Sequence, residues 1–201
     1  MKKFITFIPR QDPQNLLSGQ YAAMDNPKLD YHATCFPILP VMNGYTEPGE
    51  EVQLIALDER YDNSGFNLPR LEEETAMLEA EKNIRVKVTA ITVPFDDSME
   101  AHLNVFQKLI EEIEDGDDLY ACITYGSKPS PVVILLALQY AAKIKSRTSV
   151  SCIVYGQMNH HTREGRIFDL TAMMQMNELL DTLARARVKN VEEVLRRILD
   201  L

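Results

Sequence analysis

The sequence predicts an α/β protein built on a doubly wound, mainly parallel sheet with helices on both faces. Three observations carry that expectation. Short apolar runs alternate with amphipathic segments at least four times along 201 residues, the pattern of repeated strand–helix units. Most of the apolar runs are continuous, as strands covered on both faces are. The runs also end at polar segments marked by Pro or Gly, where such a sheet turns into its helices. The fold class is therefore Rossmann-like.

The elements follow in order. Residues 3–8 form a first strand, closed by Pro9. Residues 9–30 are rich in Asp, Asn, Gln and Pro and read as a long connection. Residues 31–42 are apolar but contain Pro37 and Pro40, which suits a short or kinked helix. A strand over 52–57 ends at Asp58, Glu59 and Arg60, and a turn-rich stretch follows through Gly65. Pro69 suits the first residue of a helix running to about residue 81. Residues 84–93 alternate as a strand, closed by Pro94. Asp96 to Ser98 cap a helix whose Leu103, Phe106, Ile110 and Ile113 recur at three- and four-residue spacing. Gly116 ends it. A strand at 119–124, a helix at 131–144 and a strand at 150–155 come next. Gly156 stops that strand, and 157–166 reads as a polar loop. Ile167 and Phe168 open a short apolar piece, and helices follow at 171–186 and 190–200.

Composition bounds the function. The chain is 45% apolar and 25% charged, as an ordinary globular protein is. No apolar run approaches the ~20 residues of a membrane span. The N-terminal Met-Lys-Lys-Phe-Ile-Thr-Phe lacks the long apolar region of a signal peptide and reads as a strand entered directly. Cys35, Cys122 and Cys152 are odd in number, widely spaced and without a Cys-x-x-Cys pair, which predicts free thiols and a cytoplasmic protein. The net charge of −9 argues against a long nucleic acid as partner. It does not exclude a small phosphorylated ligand held by a few local groups. The acidic runs at 72–74 and 111–118 read as solvated helix faces and ends.

In such folds ligands bind beyond the carboxyl ends of the strands. Three polar strand ends compete: Pro9-Arg10-Gln11, residues 124–128, and residues 156–166. The richest is Thr124-Tyr125-Gly126-Ser127-Lys128, where a glycine, two small hydroxyls and a lysine precede a helix. These groups suit a phosphate or ribose cradle; an ordinary polar turn is the alternative. The spacing is neither that of a P-loop nor that of the dinucleotide fingerprint. Arg10 and Gln11 either meet the same ligand or are solvated. His160 and His161 read as surface histidines rather than a metal pair, and Arg163 and Arg166 add charge nearby. No nucleophile elbow or His-Glu-x-x-His stretch is present, and neither a metal nor a cofactor is implied.

Residues 122–131, Cys-Ile-Thr-Tyr-Gly-Ser-Lys-Pro-Ser-Pro, resemble the Asp-x-Thr-His-Gly-Phe-Arg-Ser-Leu-Pro strand end of one branch of the CARF domains of type III CRISPR systems. Thr124, Gly126 and Pro131 agree. Lys128 keeps the charge of the arginine, whereas Cys122 and Tyr125 replace the aspartate and histidine. Ile153-Val154-Tyr155-Gly156 and Ile167-Phe168-Asp169-Leu170-Thr171 resemble two further segments of the family, in the same order. The Gly-rich loop usual after the first strand is replaced by Pro9-Arg10-Gln11-Asp12-Pro13.

The resemblance implies a CARF-like domain over 1–175 with a helical extension of it at 176–201. It implies a homodimer that grips a cyclic tetra- or hexa-adenylate across its axis, as each protomer holds half of a symmetric ring. Pro9, Arg10, Gln11, Thr124, Tyr125, Gly126, Ser127, Lys128 and Gly156 would contact the ligand. Two outputs are open. One is sensing, with the signal passed to a separate or excised effector, since the residues after 175 leave no room for a catalytic domain. The other is metal-independent cleavage of the ring by its own 2'-hydroxyl, with Lys128 and Ser127 as catalytic residues. A nucleotide-using enzyme on a generic Rossmann-like domain is the alternative to both.

Overall fold

The computed structural model describes residues 1–60, 67–159 and 161–199. The chain opens with β1 (Lys2–Phe7), where Phe4, Ile5 and Phe7 are almost fully buried. Burial on both faces explains why this run is nearly continuous in apolar residues. The other long strands repeat the pattern: β3 (Glu51–Arg60), β4 (Arg85–Pro94), β5 (Asp118–Cys122) and β6 (Ser149–Met158). Two short strands, β2 (Tyr21–Ala23) and β7 (Gly165–Asp169), complete a seven-stranded sheet of order β2-β7-β6-β5-β1-β3-β4. All neighbours pair in parallel except β6 and β7. This is the mainly parallel, Rossmann-like α/β sheet that the alternation of runs predicts.

Two helical layers cover the sheet. Helix α1 (Ile38–Tyr45) packs with α2 (Asn67–Lys82), and α3 (Met99–Glu111) packs with α4 (Ser130–Ile144). The strand pleat sorts the side chains between them. Phe4, Leu54, Tyr120 and Cys152 join Ile38, Met42, Leu71 and Leu78 in one core. Their sequence neighbours Ile5, Ile55, Ala121 and Ile153 are buried outside that cluster and face the opposite side, as period-two geometry requires. Pro40 falls in the first turn of α1, where a missing N–H costs no intrahelical bond.

Two expected connections carry strands. Within 9–30, β2 lies on the sheet edge against β7, in register Tyr21↔Gly165. Within 157–166, β6 and β7 form an antiparallel pair with Gly156 opposite Ile167 and Met158 opposite Gly165. Gly156 and Gly165 are buried while Gln157 and Arg166 are exposed. The inward positions are thus glycines, which carry no hydrophobic signal. The stretch from Tyr61 through Gly65 and His160 lie outside the described residues.

Residues Met1–Asp169 form one compact unit; a second begins at Leu170 and holds α5 (Thr171–Arg185) and α6 (Val191–Leu199). Among the described residues no helix is long and apolar enough to cross a membrane. Cys35, Cys122 and Cys152 are buried and unbridged.

Topology places the site. Apart from the edge strand β2, the chain steps from β1 outward through β3 to β4, then returns to β5 on the other side of β1. The order therefore reverses between β1 and β5, and the crevice beyond their carboxyl ends is where such sheets take ligands. Residues 8–11 leave β1 there, and residues 123–129 leave β5.

Candidate functional site

The turn after β5 is shaped by Gly126. Its φ is +102°, a region L side chains rarely adopt. A Cβ here would lie 2.6 Å from both Cβ and Oγ of Ser130 and 2.9 Å from Cγ of Phe7. Conformation and space both demand glycine.

Helix α4 starts tightly behind this turn. The Ser130 N–H donates to the Ser127 carbonyl at 2.9 Å, and the Val132 N–H to the Pro129 carbonyl at 2.9 Å. Pro131 has no N–H to offer. The helix end therefore spends the donors that a bare N-terminus would present. The unspent donors lie one step earlier. Among the described residues, the N–H groups of Tyr125, Gly126, Ser127 and Lys128 meet no acceptor. Successive main-chain amides without acceptors are groups of the kind that hold anions where a turn makes them converge. Lys128 is exposed, and its ammonium has no partner among the described residues.

The other side chains of the turn are committed to the fold. Thr124 Oγ1 accepts the Gly156 N–H at 2.7 Å and lies 3.1 Å from Cys122 Sγ, tying the end of β5 to β6. Ser127 Oγ is 3.0 Å from the buried Ser130 Oγ. The Tyr125 hydroxyl donates to the Cys35 carbonyl at 2.8 Å. Burial first, and then the neighbouring Tyr21, push the Tyr125 phenol upward; burial raises Tyr21 to about 12. Both phenols stay neutral hydrogen-bonding groups at physiological pH.

The loop after β1 is held from below. Asn67 Nδ2 donates to the carbonyls of Pro9 and Gln11, at 2.7 and 2.8 Å. Pro9 is buried. Arg10 turns outward: it pairs with Glu59, and its guanidinium lies 4.6 Å from the centroid of the Phe95 ring. Gln11 faces inward and lines a cleft of about 210 Å³ together with Leu17, Tyr21, Thr124, Tyr125, Tyr155, Gly156, Gln157 and Met158. Gly156 is there for space, since a Cβ would come 2.5 Å from Pro37 Cγ.

The fold thus brings Gln11, Thr124, Tyr125 and Gly156 into one cleft, places Gly126, Ser127 and Lys128 on the turn beside it, and engages Arg10 with Glu59. Sequence reasoning missed Asn67, which positions the first loop from 56 residues away. It also misses Tyr21, Gln157 and Met158, which β2 and β6 present from segments that read as loops, and Leu17, on the connection before β2. Tyr155, beside Gly156, lines the cleft as well. Among the described residues, no three His, Cys, Asp or Glu side chains gather as a metal site would need.

Thr124→Val keeps the shape of the side chain and removes the acceptor. It leaves the Gly156 N–H unsatisfied and is expected to cost about 1–3 kcal/mol. A lower urea midpoint checks this; an unchanged midpoint would take the β5–β6 tie away from Thr124.

Neither protein-family models nor curated protein sequences give a match to this chain.

Proposed function

We propose that the chain is a CARF-type protein that binds a cyclic oligoadenylate, the tetra- or hexa-adenylate, across a homodimer axis and acts as its sensor. One observation supports it: at the turn 125–128, beside the sheet's switch point, four N–H groups meet no acceptor among the described residues and the Lys128 ammonium is exposed. Amides and one positive charge suit a phosphodiester, whereas the −9 protein as a whole suits no long polyanion. Gln11 and Gln157 bring amide donors and acceptors suited to adenine edges. Tyr155, 40% exposed, adds an aromatic face on which a base stacks.

The cleft of about 210 Å³ is smaller than the ~300 Å³ at which pockets for drug-sized ligands begin. A cleft of this size suits a ring shared between two protomers. Cleavage would need the ligand's 2'-hydroxyl in line with a phosphate and a group to stabilise the developing charge. Lys128 is suited to the second task. Ser127, the other residue named for catalysis, has its hydroxyl engaged by Ser130. The site is thus better furnished to bind than to cut.

Incubation of the protein with cyclic tri-, tetra- and hexa-adenylate in EDTA, followed by chromatography, separates the readings. Retention of an intact ring by the protein is expected. Linear products ending in 2',3'-cyclic phosphate would convert the sensor into a ring nuclease. Binding of mononucleotides in preference to every ring would replace both with a nucleotide-using enzyme.

A further inference from the structure

Strand β4 ends the sheet on one side and, among the described residues, pairs only with β3. At ten residues it is long for an edge, where a free row of N–H and C=O groups is a template for another strand. The opposite edge, β2, has three residues and is protected by its shortness. A long edge is normally guarded by charge or proline. Here Arg85 and Lys87 stand at the start of β4 and Pro94 at its end. Between them Val88-Thr89-Ala90-Ile91-Thr92-Val93 has neither, and its β-branched residues suit pairing.

The ladder with β3 fixes which backbone groups are open. The Arg85 N–H donates to the Glu50 carbonyl at 2.9 Å, so the odd-numbered residues of β4 turn their N–H and C=O toward β3. The even-numbered residues turn theirs outward. Two of these outward groups are already engaged. Glu79 accepts the Val86 N–H at 2.6 Å, and Lys108 donates to the Thr92 carbonyl at 3.1 Å. The Val86 carbonyl, both groups of Val88 and of Ala90, and the Thr92 N–H meet no partner among the described residues. Ala90 and Thr92 are exposed, and Val88 is half-buried.

We infer that a second copy of the chain docks on this edge, β4 antiparallel to β4 about a two-fold axis through Thr89. The open groups choose both occupant and register, because an isologous contact needs a surface that matches itself. With the axis at Thr89, Val88 lies opposite the second copy's Ala90, and the two exchange both N–H···O bonds. Val86 lies opposite the second copy's Thr92, whose N–H reaches the Val86 carbonyl. Every open group then has a partner. The bond left unmade would join the Val86 N–H to the Thr92 carbonyl, the two groups that Glu79 and Lys108 already hold. An axis at Val88 or Ala90 instead sets an open group against a capped one. Charge agrees with the same register. Glu79 comes opposite the second copy's Lys108, carboxylate against ammonium. Arg85 and Lys87 come opposite Val93 and Ile91 rather than each other, so no like charges are paired. Strands β1 and β3 separate β4 from β5 and its turn, and the inference does not rest on the ligand proposed above.

Sedimentation of the full chain without any nucleotide tests this. The wild type is expected at twice its 22.9 kDa. Ala90→Pro removes an outward N–H and no bond to β3, at an edge position that admits proline. It is expected as a monomer with unchanged far-UV circular dichroism. A wild type that stays monomeric would overturn the inference, and so would a dimer that survives the proline. If the proline variant does not fold, two cysteine variants decide. Residues opposite in a non-hydrogen-bonded antiparallel pair have Cα atoms about 4.5 Å apart, within reach of a disulfide. The native thiols are buried, so Thr89→Cys should link two chains on mild oxidation. Lys87→Cys, exposed but set opposite Ile91, should not. A Thr89→Cys variant that stays unlinked, or a Lys87→Cys variant that links as readily, would overturn the inference. Nucleotide is absent throughout, so failure here leaves the ligand reading standing, and failure to bind any ring leaves this contact standing.

Discussion

Lys128→Ala is expected to weaken binding of cyclic tetra-adenylate by roughly a hundredfold or more. A hydrogen bond to a charged group contributes about 1.5–3 kcal/mol. A two-fold site loses it twice, and each 1.4 kcal/mol is about tenfold in affinity. Lys128 has no partner among the described residues, so its removal leaves no orphan in the free protein and thermal stability should hardly move. Lys128→Arg keeps the charge and should retain most of the affinity. Calorimetric titration of the three proteins reads this directly. Equal affinity in the alanine variant would take Lys128 out of the site and leave the turn amides as its phosphate-binding groups.

Asp117→Ala is expected to cost about 3–5 kcal/mol of stability, the range for breaking a buried ion pair by removing one partner. Asp117 and Lys3 are 3% and 6% exposed in their side chains and lie 2.8 Å apart. The N-terminal ammonium reaches Asp117 at 3.1 Å, and the Glu114 N–H donates to it at 2.7 Å. Burial alone would raise this carboxyl, but its bonds with Lys3, the Glu114 N–H and the N-terminus outweigh burial and hold it below the usual value of 3.8. A carboxyl depressed by folding contributes stability that is complete above its unfolded value and fades as pH falls through its folded one. The penalty of Asp117→Ala should therefore be full at neutral pH and shrink as the solution is taken to about pH 3 or below. Urea unfolding across that range checks both points, and a pH-independent penalty would mean that the carboxylate's charge is not what stabilises the fold. The pair lies at the amino end of β1 and β5, opposite the candidate site, so ligand affinity of the folded protein should not change.

The parallel core was legible because burial on both faces forces apolar content into β1, β3 and β5, whatever their neighbours do. The edge was not. At β2 and along β6–β7, a strand face is formed by Gly156 and Gly165 against Tyr21 and Pro37, and glycine contributes close approach rather than hydrophobicity. The turn at 124–128 reads from its glycine and lysine as a candidate for holding an anion. Its division of labour is not legible. Which hydroxyls are spent on the fold depends on where Ser130, Cys35 and Gly156 arrive, and spacing does not carry that. Arg10 shows the same limit. Its position one step past Pro9 is visible in sequence, but its pairing with Glu59 follows from β3 lying beside β1. Asn67 had no sequence signal, because its task is to satisfy two carbonyls of a distant loop.

In the function proposed above, two chains together bind one cyclic oligoadenylate at the 125–128 turns. A calorimetric titration of the wild-type protein with cyclic tetra- and hexa-adenylate tests it most directly. Saturation at one ring per two chains is expected for at least one of these, with no comparable binding of AMP or linear tetra-adenylate. Absence of binding to either ring, or saturation by one mononucleotide per chain, would contradict it.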